Sequence, residues 1–476
     1  MSYIEKLLGP AIHYLNTLLW NQVLVYLLLG VGIYFTFRLG FIQLFALPHS
    51  IRILKRSGSG AGTGITGFQA FATGLAGRVG SGNIVGVAIA LSAGGPGAIF
   101  WMWITALLGM ASAFVEATLA QIFKVPVPGK QYFQGGPAYY IRIGLGLPVL
   151  GTVFAVALIF TFGLAFNALQ SNFIADAFFH AFAVPKEIIG IVLTLTTAPL
   201  VFGGVQRVMR LAQLIVPVMA LAYILLVGYI VILNFEGIPG MFALIFRSAF
   251  GLEQAAWGIA GYSVSQALTM GIRRGLYSNE AGMGSAPNAA AAATTSHPAT
   301  QGLLQMLGVF VDTIVICTAT AIMILLSGQY LPGSGMEGAV LTQRAVTSQV
   351  GPLGNGILAI IIFLFSFSTI IGNYAFTEGN IRFLSRHPLT MLIFRISFLF
   401  MVLFGSIMSL PLILDMADLS MALMALLNLT AITLLVRYAI LAWEDYKKQR
   451  QQGIKVPKFH RDSIPELSNK LPDNVW

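Results

Sequence analysis

Charge is what this 476-residue sequence has least of: Asp, Glu, Lys and Arg make up 9% of it, where a soluble domain carries about a quarter. A water-soluble enzyme or regulatory domain is excluded. Cysteine is nearly absent too. Cys317 stands alone inside an apolar stretch, which rules out a disulfide framework or a thiolate metal centre and reads as a buried thiol. The six His are scattered. No nucleophile lies beside a base, and no phosphate-binding glycine loop ends in Lys and Ser or Thr, so neither ATP-driven pumping nor membrane-bound catalysis is expected. The amphipathic opening from Met1 to Asn16 lacks a small-residue cleavage site, so a removable signal peptide is not expected either.

What is present is apolar: 57% of residues are hydrophobic and the mean hydropathy is +0.82. Runs of about twenty apolar residues favour a helical bundle over a barrel, whose strands alternate in segments of about ten. Spans are expected near 19–37, 65–92, 98–123, 148–178, 186–204, 211–233, 256–294, 301–328, 354–377, 389–408 and 418–441, about eleven in all. An odd number sets the termini on opposite faces. The net charge of +10 is gathered at alternate helix ends and after Trp443, which is a topology signal rather than a nucleic-acid surface. About twenty Lys and Arg fall on one face against roughly four on the other (Lys6, Lys186, Arg247 and Arg344), giving an outside N-terminus and a cytoplasmic C-terminus.

Two spans, 65–92 and 256–294, exceed a straight crossing of a core about 30 Å thick at 1.5 Å per residue. Both carry glycine clusters: Gly74, Gly77, Gly80 and Gly82 in the first, Gly271, Gly275, Gly282 and Gly284 in the second. Each Gly costs roughly 1 kcal/mol relative to Ala inside a helix. Breaks are therefore expected at Gly77–Asn83 and at Gly271–Glu280. Glycines in membrane helices also serve close packing, but with the first span set aside the two clusters open two sets of five, and an odd set size inverts the second set. That is the arithmetic of an inverted-repeat transporter.

An unwound turn at membrane depth frees N–H and C=O groups that need partners. The new helix N-terminus suits a carboxylate and the freed carbonyls suit a cation. Gly77, Gly80, Ser81, Gly82, Asn83, Ser278 and Asn279 are the candidates in and beside the breaks. Ser366, Ser368 and Thr369, followed by Asn373, supply hydroxyls for a weakly held monovalent ion, or bond back to the preceding turn. The polar run Asn167, Gln170, Ser171, Asn172 and Asp176 offers amides to a substrate amino group, or glues helices together. Arg78, Glu116, Glu280 and Asp312 are ionisable groups in or near spans, and pairing of Arg78 with Glu116 is expected, as a gate or as a structural ion pair. The Ala286–Thr295 run suits tight packing. The stretch Ser57–Gly67 reads as a linker, and the polar residues after Gly453 as a mobile cytoplasmic tail.

The segments Gly67-Phe68-Gln69-Ala70, Arg78-Val79-Gly80-Ser81-Gly82-Asn83-Ile84, Gly94-Gly95-Pro96-Gly97 with Trp101-Met102-Trp103, and Arg274-Gly275-Leu276-Tyr277-Ser278-Asn279-Glu280-Ala281-Gly282-Met283-Gly284-Ser285-Ala286-Pro287 resemble the alanine or glycine:cation symporter family over nearly the whole chain. The resemblance implies an all-α polytopic fold with a leucine-transporter-like five-plus-five inverted repeat and one extra N-terminal helix. It also implies Na⁺-driven import of alanine or glycine in a prokaryotic plasma membrane. By the same similarity, carbonyls near Ala76, Val79 and Phe365 with the hydroxyls of Ser368 and Thr369 would hold Na⁺, the coupling ion. Where the family often has Trp this chain has Asn373, which leaves room for a larger neutral substrate such as glutamine or serine. The expected division is residues 1–56 for the extra helix and linker, 57–234 and 235–445 for the repeats, and 446–476 for the tail. A passive channel or a non-transporting amino-acid sensor on the same scaffold is the competing reading.

Overall fold

The computed structural model describes residues 3–58, 64–252, 260–330, 338–472 and 475–476. Apart from a two-residue antiparallel ladder, Val125–Pro126 with Phe133–Gln134, the described elements are helical. Nine helices among the described residues are long and apolar enough to cross a membrane, and one bent pair makes a tenth. They are α1 (Pro10–Arg38), the pair α3 (Gly67–Arg78) and α4 (Val85–Gly94), α5 (Gly97–Ile122), α6 (Pro148–Phe182), α7 (Lys186–Gly203), α8 (Val205–Leu233), α11 (Pro298–Leu326), α12 (Gly354–Leu384), α13 (Pro388–Gly405) and α14 (Leu410–Gln451). The amphipathic α2 (Leu47–Arg56) lies between the first two spans.

The eleventh expected span, 256–294, is α9 (Ala260–Asn279) followed by α10 (Ala286–Ala292); its first four residues lie outside the described ones. Gln266, Arg273 and Arg274 make α9 too polar to qualify by hydropathy, and it is covered instead by α5 and α4.

The first break falls where the glycines put it. A reciprocal cap starts α3, with Gln69 N–H donating to Thr66 Oγ1 (3.1 Å) and Thr66 N–H to Gln69 Oε1 (3.0 Å). Helical geometry ends at Val79 and Gly80, a 3₁₀ turn spans Ser81–Asn83, and α4 leaves at 55° to α3. The second break differs from expectation. Helix α9 runs unbroken through Gly271 and Gly275 to Asn279, and the chain unwinds only over Glu280–Ser285, where Glu280, Gly282 and Gly284 have φ of 55°, 84° and 88°. Gly271 serves approach instead of flexibility, since a Cβ there would sit 2.5 Å from the Ala98 carbonyl oxygen. Close helix contact is the other use of glycine in membranes, and here it prevails.

The residues after Gly453 were expected to be mobile; from Phe459 to Leu471 their apolar side chains are packed. Phe459, Ile464, Leu467 and Leu471 are buried, and Phe459 N–H donates to the Ser296 carbonyl (2.9 Å). Lys124, just past α5, lies 4.2 Å from the ring centres of both Phe133 and Trp476; burial pushes its pKa down to about 7. The apolar residues of the tail are too widely spaced to read as a helix or strand, yet in three dimensions they cover the ends of α5, α10 and α14. Part of the Ser57–Gly67 linker, residues 59–63, lies outside the described residues.

Candidate functional site

Beneath the first break, four of the five expected ion-site groups converge. Thr369 Oγ1 lies 3.0 Å from the Ala76 carbonyl oxygen and 3.1 Å from that of Phe365, to which Ser368 Oγ also donates (2.8 Å). The last two contacts are the back-bonding that Ser and Thr make in any helix; the contact to Ala76 crosses from α12 to α3 and belongs to the site alone. Val79, the fifth, spends its own N–H on the Leu75 carbonyl (2.7 Å), and no bond draws its carbonyl to the group. Gly80 is indispensable here because a Cβ would stand 2.2 Å from Thr369 Oγ1.

The expected substrate residues divide into two groups. In one, Ser81 Oγ (2.7 Å) and Ser81 N–H (3.3 Å) donate to Gln170 Oε1, and Gln170 Nε2 donates to the Tyr277 hydroxyl (3.3 Å). Tyr277 also packs 2.9 Å from where a Gly82 Cβ would lie, and edge-on against Phe166. The break is closed at one end by Gly80 N–H donating to Asn83 Oδ1 (2.8 Å). The arrangement joins backbone of α3/α4 to an amide on α6 and a phenol on α9.

In the other, Asn83, Ser278 and Asn279 turn toward α11. Asn83 Nδ2 and Ser278 Oγ each donate to the Asp312 carboxylate at 2.7 Å, Thr313 Oγ1 donates to it at 2.8 Å, and Asn279 Nδ2 donates to Thr313 Oγ1 (3.3 Å). Cys317 Sγ lies 3.1 Å from Ser278 Oγ. The Asp312–Cys317 stretch forms part of a π-helical segment, Phe310–Cys317; such segments crowd side chains that a regular turn would spread, and often sit at functional sites.

Asn373, one turn beyond Thr369, donates through Nδ2 to Asn167 Oδ1 (3.1 Å) while its own Oδ1 is buried with no partner among the described residues. Gly77 is a packing position: a Cβ would strike the Phe376 ring at 2.5 Å. On the far face of α6, Asn172 Nδ2 donates to the Gly405 (3.0 Å) and Met408 (2.9 Å) carbonyls, so it glues α6 to α13. Asp176 pairs with Lys186 (2.8 Å) at the helix exit.

Arg78 and Glu116 do not pair. No carboxylate lies within ion-pair distance of Arg78 among the described residues; its Nη1 donates to the Gln305 carbonyl and Oε1, both at 3.1 Å, while Glu116 accepts from Asn428 Nδ2 (2.9 Å). Glu280, Glu116 and Asp312 act on Arg78 only through space. The ion pairs at depth are instead Arg273 and Arg274 with Asp418 on α14, whose backbone carbonyl also accepts from Trp20 Nε1 of α1 (3.2 Å). This contact fastens the extra helix to the bundle.

Tyr277, Thr313 and Cys317 complete these clusters and were not among the expected site residues. Tyr277 directly precedes Ser278 in the longest motif and Thr313 directly follows Asp312, so adjacency was the available signal. Nothing in the sequence brings Cys317 to Asn83.

Two interrupted helices carrying polar groups inside a multi-helix apolar bundle are the architecture of a membrane transporter. The signature of the Sodium:alanine symporter family spans residues 5–461, and the chain belongs to that family. It is 47% identical over 463 residues to a probable sodium/glutamine symporter of Bacillus subtilis, covering 97% of this chain and 94% of that one. It is 46% identical to an amino-acid carrier protein of the same organism, covering 98% of each. With a sodium/alanine symporter of Methanococcus maripaludis the identity is 37%, over 92% of this chain and 97% of that one.

Proposed function

We propose that this protein imports a small neutral amino acid by symport with Na⁺ across the plasma membrane, alternating access around the two broken helices, with its N-terminus outside and its C-terminus in the cytoplasm. The observation that carries the reading is the Thr369 hydroxyl bridging the Ala76 and Phe365 carbonyls across α3 and α12. Three neutral oxygens and the adjacent Ser368 hydroxyl form a hard, uncharged donor set suited to a monovalent cation. On ion binding the hydroxyls turn their protons away and offer lone pairs. The substrate carboxylate takes the N–H groups around Gly80, Ser81 and Gly82, and Gln170 exchanges its bond to Ser81 for one to the ligand.

A five-plus-five inverted repeat is supported by which helices touch. Helices α5 and α11, α6 and α12, and α7 and α13 pack on one another, as do α3 and α10. Each pair holds members five spans apart, the contacts expected of repeat mates lying near a two-fold axis.

The test is uptake of labelled alanine, glycine or glutamine into proteoliposomes with an inward Na⁺ gradient; equal uptake without the gradient would remove the coupling. Ser368→Ala and Thr369→Ala should each raise the half-saturating Na⁺ concentration by about ten- to a hundredfold, a bond to a charged group contributing about 1.5 to 3 kcal/mol. An unchanged sodium dependence would move the ion elsewhere.

Alanine or glycine is the first-ranked substrate. The relatives named for glutamine and for alanine bracket the choice, and Asn373 bears on it. Asn373→Trp fills the space beside Asn167 and should lower glutamine uptake relative to alanine about tenfold or more, a pocket methylene being worth about 1 to 3 kcal/mol. An unaltered ratio would take Asn373 out of the pocket wall.

A further inference from the structure

The start of α3 and the end of α10, which the proposed orientation makes cytoplasmic, meet. Ile65, just before α3, bridges Ala293, just after α10, and Thr294 N–H donates to the Ile65 carbonyl (2.9 Å). Directly over this bridge is a cavity of about 440 Å³. Its walls are Thr66 and Gly67 on one side of the bridge, Thr294, Thr295 and Ser296 on the other, and α2 with the end of α14 above them.

Four cationic side chains line it, Arg52 and Arg56 from α2 and Arg450 and Lys455 from the α14 end, and among the described residues no carboxylate does. Asp445, one residue before the lining Tyr446, is engaged by His297 Nε2 (3.1 Å) and Gln449 Nε2 (2.9 Å). His49, bonded to the Tyr446 hydroxyl (3.0 Å), projects into the same space. Burial and the fields of Arg450, Arg52 and Arg56 hold its pKa below the usual imidazole value, so the arginines add their fields at one point. Among the described residues the Arg52 guanidinium and the Lys455 ammonium have no hydrogen-bond or ion-pair partner. Like charges gathered around a hydroxyl-lined cavity, two of them unpartnered among the described residues, raise the local potential for anions.

An exposed apolar edge lies beside the cavity. Leu44 and Phe45, just before α2, are 58% and 78% exposed, and Ile51 on α2 is exposed with them. An apolar edge beside Arg52, Lys55 and Arg56 is how an interfacial helix sits among headgroups.

We propose that this cavity binds a phosphate group, presented by an acidic phospholipid headgroup or by a soluble phosphate, and that the bound anion bridges the cytoplasmic ends of the two broken helices. The Arg52 guanidinium, the Lys455 ammonium and the hydroxyls of Thr66 and Thr294 are its ligands, with Arg56 and Arg450 adding positive charge beside them. Because these hydroxyls come from both sides of the Ile65–Ala293 bridge, the anion adds a second tie across it.

The experiment compares wild type with Arg52→Gln/Lys455→Gln, and with Lys455→Glu alone as a single exposed-loop change should the double variant fold poorly; a matched Tm establishes folding. Phosphatidylglycerol and phosphatidylcholine retained by the purified protein are counted by native mass spectrometry. Inorganic phosphate is titrated calorimetrically into delipidated protein in neutral detergent. Removing two charges should weaken whichever anion binds by about thirtyfold, at about 1 kcal/mol per basic residue near an anionic surface and 1.4 kcal/mol per tenfold. Selective retention of phosphatidylglycerol without phosphate binding assigns the lipid; phosphate binding in detergent assigns the soluble source. Binding of neither, or binding that both variants leave unchanged, overturns the proposal. None of these readouts depends on the transported substrate or on Na⁺ coupling.

Discussion

Gly80→Leu should lower Na⁺-driven amino-acid uptake by more than about a hundredfold at unchanged expression, because a displacement of about 1 Å at a reacting or binding centre already costs on that scale. The first carbon of any side chain there would stand 2.2 Å from Thr369 Oγ1 and 3.5 Å from Gln170 Oε1. The leucine body would fill the space where α3, α6 and α12 bring backbone, amide and hydroxyl together. Gly80→Ala, which adds only that carbon, should be impaired less but clearly, by pushing Thr369 off the Ala76 carbonyl. Gly271→Ala is the informative contrast. It also strikes a neighbour, at the Ala98 carbonyl, but away from the break, so it should weaken folding rather than transport per folded molecule. Full activity in Gly80→Leu would place the site elsewhere.

Asp418→Ala should produce the largest loss of stability, about 3 to 5 kcal/mol, the usual cost of stranding a buried charge. Its carboxylate is the sole ion-pair partner of both Arg273 and Arg274 among the described residues, and the three side chains are 3%, 19% and 4% exposed. Removal leaves two guanidinium groups confined to the bundle, beside the Trp20 and Tyr277 rings. The measurement is the Tm of the purified protein in detergent. Arg273→Gln, at the more exposed of the two arginines, should lower it less. An unchanged Tm in Asp418→Ala would show that water or lipid phosphate already serves the arginines.

The two breaks show how far local pattern reaches. In the first, Gly80 and Gly82 sit at the unwound turn and also admit Thr369 and Tyr277, so poor helix propensity and the actual unwinding coincide. In the second, Gly271 and Gly275 look equally weak in sequence but lie against α5, Gly271 at a distance only glycine permits, and the unwinding moves to Glu280–Ser285. A glycine that bends the chain and one that admits a neighbour are identical until the neighbour is known. The site residues divide likewise. Ser81, Gln170, Ser368 and Thr369 were legible as polar groups stranded in apolar helices, and they meet. Ser278 and Asn279 were legible for the same reason but bond Asp312 and Thr313, because the π-helical segment of α11 presents that carboxylate and hydroxyl to them.

The sequence by itself determined that this chain lives in a bilayer, where its spans lie, that one opens on a broken helix, and which family its motifs match. These follow from hydropathy and short spacings, which are written along the chain. The tertiary structure alone decided that Arg78 bonds Gln305 and not Glu116, that Asp418 holds two arginines, and that the tail is packed. It also decided that a basic cavity crowns the meeting of the two broken helices. Each of these joins residues tens to hundreds of positions apart, and a partner at that distance is chosen by helix packing, which local composition does not encode.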